Sequence, residues 1–335
     1  MQNQFHFEAV YFEPQSLEYT LGQKLKEKYD DIPWVPIENH NNIEEMRTRP
    51  NSDFARMKKF LIIGTRKTHR YTPNQKISDF LVPYTSSGCT AMCLYCYLVC
   101  HYNKCSYLRL FVNREEMLHK LMKKAAEGNT ELTFEIGSNS DLILENTITE
   151  TLPDTIETFA KAEKGYLTFP TKFNQVAPLL PLNHKERVIF RMSVNPQEII
   201  QKIELGTSRL QDRIDAVNQM CEAGYPTGIL VAPVILLENW KALYSGLFTA
   251  LSEQLSEKVK KQLFIEVILM TYSYVHRMIN AEAFPNAPGL YQADAMAGKG
   301  MGKYSYRPQA RAEGESFLRE QIAKKLPDAR IVYFS

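Results

Sequence analysis
The chain has 335 residues, 44% of them hydrophobic and 11% aromatic, and its 40 Lys and Arg against 38 Asp and Glu leave a formal charge of +2. Such a chain can bury a large core, which excludes disorder as its main state, and its balanced charge means that any basic footprint for nucleic acid must be local. No run approaches the roughly 20 apolar residues of a membrane span, and Met1 is followed by polar residues rather than a charged and apolar leader, so a soluble, cytoplasmic protein is expected.

The first sixty or so residues read as polar and irregular. Tyr11-Phe12-Glu13-Pro14 and the stretch from Pro33 to Pro50 are expected to form a cap or wrapping arm, ahead of the short apolar run Phe60-Leu61-Ile62-Ile63. From about residue 80 the rhythm changes to strand then helix. Strands are expected at Phe80 to Tyr84, Leu132 to Ile136, Tyr166 to Phe169, Val188 to Val194, Ile229 to Ile235 and Leu263 to Leu269, each apolar enough to be buried on both faces. Asn113 can cap a helix striped by Met117, Leu118, Leu121, Met122 and Ala125 and stopped by Gly128; Thr207 or Ser208 can open another through Ile214, Val217 and Cys221. Lys241 to Leu255 makes a third. Alternation of this kind implies a parallel sheet with right-handed crossovers, here an α/β fold with about six units, a partial (β/α)6 TIM-like barrel. Residues 1–78 form an N-terminal extension on this reading, 79–270 the barrel core, and 271–335 a C-terminal region. The last carries a glycine-rich β-hairpin from Ala297 to Tyr306 with Lys299 and Lys303, and a final strand from Arg330 to Phe334.

Five of the six cysteines, Cys89, Cys93, Cys96, Cys100 and Cys105, fall within seventeen residues, while Cys221 stands alone. Bunched thiols in a large chain without an export signal suit metal or redox chemistry better than a disulfide framework. Cys89, Cys93 and Cys96 follow an expected strand at spacings of four and three, and loops at the carboxyl ends of parallel strands are where ligands sit. Three such thiolates can ligate three irons of a 4Fe-4S cluster and leave the fourth open. The amino and carboxylate groups of S-adenosylmethionine could fill that opening. Zinc is the alternative, with Cys100, His101 or Cys105 as fourth ligand.

The C-x3-C-x2-C loop resembles that of the radical S-adenosylmethionine superfamily. The ordered set Tyr11-Phe12-Glu13-Pro14, Ile63-Gly64-Thr65-Arg66-Lys67-Thr68, Cys96-Tyr97-Leu98, Ser140-Asp141, Thr171-Lys172-Phe173, Phe190-Arg191-Met192-Ser193-Val194-Asn195, Gly206-Thr207-Ser208, Val231-Ala232-Pro233 and Gly302-Lys303-Tyr304 is similar to the spore photoproduct lyase family over most of the chain. The resemblance implies a barrel of the radical SAM type and a DNA-repair lyase that returns the methylene-bridged thymine dimer to two thymines through a 5′-deoxyadenosyl radical. It implies that Cys89, Cys93 and Cys96 hold the cluster, that Ser140, Asp141, Lys172 and Ser193 contact or neighbour S-adenosylmethionine, and that Tyr95 and Tyr97 serve substrate and hydrogen return. Lys299, Lys303 and Tyr304 fall on the element that meets the lesion. The implied partners are double-stranded DNA carrying the lesion and an electron donor such as flavodoxin or ferredoxin. A monomer in the spore core, bound to no membrane, completes the expectation.

One position departs from the family pattern. Ser138 stands where Bacillus-type members carry the hydrogen-donating cysteine. A serine O–H bond is far stronger than a thiol S–H bond, so Ser138 is not expected to donate; Cys100, Cys105 and Tyr97 are the candidates. Other readings are a radical enzyme with a different substrate and a non-catalytic, zinc-stabilised nucleic-acid-binding protein. Single residues also have plainer roles: Lys172 as a solvated charge, Ser140 and Asp141 as a helix cap, Tyr95 and Tyr97 as core packing. Glu266, inside an apolar strand, needs a partner if buried.

Overall fold
A computed structural model describes residues 6–82, 84–101, 107–127 and 129–335, without the side chains of Cys100 and His101. Gly128, the expected helix stop, and Cys105 lie outside the described residues. The described chain divides into two units, one built from 1–92, 98–169 and 182–188, the other from 93–97, 170–181 and 189–335.

In the first unit the opening sixty residues are not the irregular arm expected. Ala9–Phe12 runs parallel to Trp34–Pro36 on one side and to Phe60–Gly64 on the other. Phe60–Gly64 then pairs in parallel with Arg109–Phe111, which Ser86–Ser87 joins antiparallel. Strands of two to five residues are too short for alternation to show against polar connections. They are held by burial: Val10, Leu61, Leu108, Leu110 and Val112 close a core with Leu21 and Leu25 of helix Thr20–Lys28. Phe80–Val82, Thr133–Ile136 and Tyr166–Thr171 as far as Phe169 form a second parallel run in this unit, as expected. Helix Arg114–Ala126 begins after Asn113, but the Asn113 side chain does not cap it. Its Oδ1 accepts from the Arg66 amide at 2.9 Å, and its amide nitrogen donates to the Arg66 carbonyl.

The second unit carries Val188–Val194 from Ile189 onward, with Thr227–Val234, Phe264–Leu269 and Arg330–Phe334, each parallel to the next. Ile229, Val231, Ile265 and Val267 have no exposed surface, the double-faced burial that their continuous hydrophobicity implies. Helix Leu210–Glu222 starts one or two residues later than expected and its cap residue is Arg209. Ser208 Oγ instead donates to Asn174 Oδ1 at 2.9 Å and Thr207 Oγ1 to the Glu204 carbonyl at 2.7 Å. Glu266 is fully buried and meets its partners within the same unit, Arg191 Nε at 2.8 Å and the Tyr333 hydroxyl at 2.7 Å. The hairpin forms from Met296–Gly298 and Lys303–Tyr306, with Thr271–Ser273 added as a third antiparallel strand.

Candidate active site
Two clusters, one in each unit, hold the four side chains expected to contact or neighbour the cofactor. In the second unit Lys172 follows Tyr166–Thr171 and is no solvated charge. Its ammonium donates to Ser193 Oγ at 2.5 Å, to the Ala232 carbonyl at 2.8 Å and to Glu204 Oε1 at 3.0 Å. Glu204 is fully buried and is also reached by Asn195 Nδ2 at 2.7 Å, by the Tyr95 hydroxyl at 2.5 Å and by Arg213 at 2.7 Å. Burial alone would raise its pKa; Lys172 and Arg213, with hydrogen bonds from Tyr95 and Asn195, overcome that and hold it at about 2. Burial and the Glu204 carboxylate push the Tyr95 phenol well above its ordinary value, so Tyr95 stays protonated with its proton aimed at Glu204. Two cations around one anion leave one net positive charge in this cluster.

Cys93, Tyr95, Cys96 and Tyr97 share one short loop of the second unit. The Cys96 amide closes a turn onto the Cys93 carbonyl at 3.1 Å. Tyr97 is 53% exposed, so it is not core packing. Cys89 belongs to the first unit, where its carbonyl accepts from Lys58 at 2.8 Å and its sulfur from the Ala91 amide at 3.4 Å. All three thiols are partly exposed and none is in a disulfide. Among the described residues no three His, Cys, Asp or Glu side chains are already gathered as a metal-binding set.

The other cluster, in the first unit, sits at the end of Thr133–Ile136. Gly137 turns the chain there at φ +77°, where an added Cβ would come within 2.6 Å of Leu142, so the turn requires glycine. Asp141 Oδ1 accepts from the amides of Ile143 and Leu144 at 3.1 and 3.2 Å and caps helix Leu142–Thr149. Ser140 Oγ lies 2.7 Å from Ser86 Oγ, and Ser86 also hydrogen-bonds to Glu145.

On the hairpin of the second unit, Lys299 and Lys303 are exposed and Tyr304 packs on Tyr291 with ring centroids 4.6 Å apart. Met301 stands between them at φ +47° and is 93% exposed.

Comparison with known proteins shows the family. The family model described as spore photoproduct lyase matches residues 5–335. The chain belongs to the spore photoproduct lyase family. It is 32% identical to the spore photoproduct lyase of Bacillus subtilis (strain 168), over the whole of both chains, and 30% identical to that of a Geobacillus species, over 97% of this chain and 98% of the relative. Among solved structures, a cysteine-to-alanine variant of spore photoproduct lyase superposes with a TM-score of 0.91 at 28% identity, covering 99% of this chain and all of that one. A spore photoproduct lyase variant with bound AdoMet and dinucleoside spore photoproduct gives the same score, identity and coverage. The chain is therefore a radical S-adenosylmethionine lyase with the family's mixed α/β half-barrel.

Sequence reasoning missed Glu204, Arg213 and Asn195 as one network, and Glu145 with Ser86 as another. A usable signal was present: Glu204 lies between Ile203 and Leu205 and Glu145 among Leu142, Ile143, Leu144 and Ile148, the same acid-in-an-apolar-run pattern that flagged Glu266.

Proposed function
We propose that this chain restores two thymines from the spore photoproduct, 5-thyminyl-5,6-dihydrothymine, in DNA. One hydrogen leaves C6 of the saturated ring, the carbon–carbon bond of the methylene bridge breaks, and one hydrogen returns to the freed methylene carbon. The observation that carries this reading is the end-to-end correspondence with a relative solved with AdoMet and the dinucleoside lesion. Residues 79–270 would carry the chemistry and 271–335 the DNA contact.

Cys89, Cys93 and Cys96 would hold a 4Fe-4S cluster. The donor set suits it: three soft, part-exposed thiols at family spacing, with the Ala91 amide already directed at Cys89 sulfur as amides are at cluster thiolates. When bound, that cluster supplies one electron to S-adenosylmethionine and so generates the carbon radical. Lys172 and Ser193 provide a fixed polar wall for the cofactor, and the net positive charge left by Lys172 and Arg213 against Glu204 suits a carboxylate. Ser140 would contact the cofactor from its own loop, which Asp141 holds through the helix cap. Tyr95, kept as a neutral phenol by Glu204, suits hydrogen-atom rather than proton chemistry. Tyr97, exposed on the same loop, would serve the substrate. Lys299, Lys303 and Tyr304 would meet the DNA, and the lesion must leave the base stack to be reached. A flavodoxin or ferredoxin would supply the electron, and the chain would act as a monomer in the spore core. No helix among the described residues is long and apolar enough to cross a membrane.

The test is anaerobic turnover of the synthetic dinucleoside lesion by reconstituted protein. Thymine and 5′-deoxyadenosine formation by brown, iron- and sulfide-containing protein is the expected result. Colourless protein with stoichiometric zinc and no thymine would overturn the reading.

A further inference from the structure
Glu145 is a buried carboxyl group with no part in the chemistry above. It is 3% exposed, on the apolar face of helix Leu142–Thr149, and it accepts a hydrogen bond from Ser86 of Ser86–Ser87. Ser86 is 1% exposed, and its Oγ lies 2.7 Å from Ser140 Oγ. A line of three side chains thus runs from Glu145 to Ser140.

A hydroxyl has one proton and two lone pairs, so Ser86 cannot donate to Glu145 and to Ser140 together. An ionised Glu145 accepts only and takes the Ser86 proton. Ser86 must then accept from Ser140, whose oxygen offers only lone pairs to anything beyond it. A protonated Glu145 lets the line reverse: Glu145 donates to Ser86, Ser86 to Ser140, and the Ser140 proton turns outward.

We infer that Glu145 is a positioning residue that acts through Ser86 to set whether Ser140 meets the cofactor as an acceptor or as a donor. This rests on the reading of Ser140 as a cofactor contact. The surroundings let both states occur near neutral pH. Burial pushes the Glu145 carboxyl up, while hydrogen bonds from Ser86 and Thr85 and the charges of Arg114 and Arg66 pull it back, leaving it at about 7. Arg114 is itself paired with Asp154, Arg66 donates to the Tyr84 carbonyl at 2.9 Å, and Tyr84 is a neutral phenol raised by burial.

Two measurements on the full-length protein test this. The first is S-adenosylmethionine affinity of the anaerobically reconstituted enzyme between about pH 6 and 8. Wild type is expected to change affinity about tenfold with a midpoint near 7, the size of one hydrogen bond gained or lost to a charged group, and Glu145→Gln and Ser86→Ala are expected to show no inflection. An inflection that persists in both variants, or none in wild type, overturns the inference. The second is a difference-infrared titration of the protonated carboxyl in cofactor-free protein. Its signal should vanish in Glu145→Gln, and its midpoint should rise in Ser86→Ala, which removes a hydrogen bond that favours the anion. An unmoved midpoint overturns the coupling. Wild type that binds no cofactor at any pH would defeat the cofactor reading of Ser140 instead, while the infrared titration still reports on the line itself.

Discussion
Lys172 Nζ lies 3.0 Å from Glu204 Oε1, and that carboxylate has no exposed surface. The lysine that the sequence offers as a cofactor contact is therefore one end of a buried charge network. Arg213 sits on the other carboxylate oxygen at 2.7 Å. Glu204→Gln leaves two cations facing no counter-charge, and the loss is expected to be about 3 kcal/mol of folding stability. Lys172→Met keeps the Arg213–Glu204 pair and should cost less stability but lower cofactor affinity more than tenfold. Denaturant unfolding and equilibrium binding separate the two, and a Lys172→Met variant with wild-type affinity would refute the assignment.

Stability should fall as pH rises through the window set by Glu145. Its folded pKa is raised from an ordinary 4.5 to about 7, so between those values the folded state binds a proton that the unfolded state has lost. The stabilising effect is complete below about 4.5 and gone above about 7, with a slope of at most about 1.4 kcal/mol per pH unit between. Urea midpoints measured from pH 5 to 8 should show this decline in wild type and a flatter profile in Glu145→Gln.

Removing both hairpin lysines, as in Lys299→Ala with Lys303→Ala, should weaken binding to lesion-bearing duplex and make its salt dependence shallower by about two phosphate contacts. Met301 is expected to act with them. An apolar side chain 93% exposed at a left-handed tip suits insertion between bases. Met301→Asp should slow repair of the duplex at least tenfold and leave the dinucleoside rate unchanged. Equal slowing of both substrates would remove the hairpin from DNA recognition.

Ser138 lies one residue beyond Gly137, on the turn that leads to Ser140. If hydrogen return comes from a relocated thiol, deuterium from labelled solvent should cease to enter thymine when Cys100 or Cys105 is replaced, with off-pathway products rising. Ser138→Ala should change neither. Ser138→Cys should restore clean turnover to the thiol-deficient variant, and failure of every cysteine replacement to alter products would point to Tyr97.

The parallel strands from Phe80 onward were legible because burial on both faces writes continuous apolar runs into the chain, and the family was legible because the three-thiol loop comes with an ordered set of other segments. The N-terminal sheet was not legible. Ala9–Phe12 and Trp34–Pro36 are too short for a period to emerge, and only the pairing of Ala9–Phe12 with Phe60–Gly64 and of Trp34–Pro36 with Ala9–Phe12 makes them strands. Asn113 and Ser208 illustrate a related limit, since each matches a helix cap locally while a more distant partner, Arg66 or Asn174, takes its side chain.

Residue types and their order alone determined the family, the three-thiol loop and the α/β rhythm, all properties of short segments. The networks around Glu204 and Glu145 were decided by the tertiary structure. Their members lie as far apart as Tyr95 and Glu204, or Ser86 and Glu145, and a buried carboxylate takes its ionisation state from whichever charges and hydroxyls the fold delivers to it.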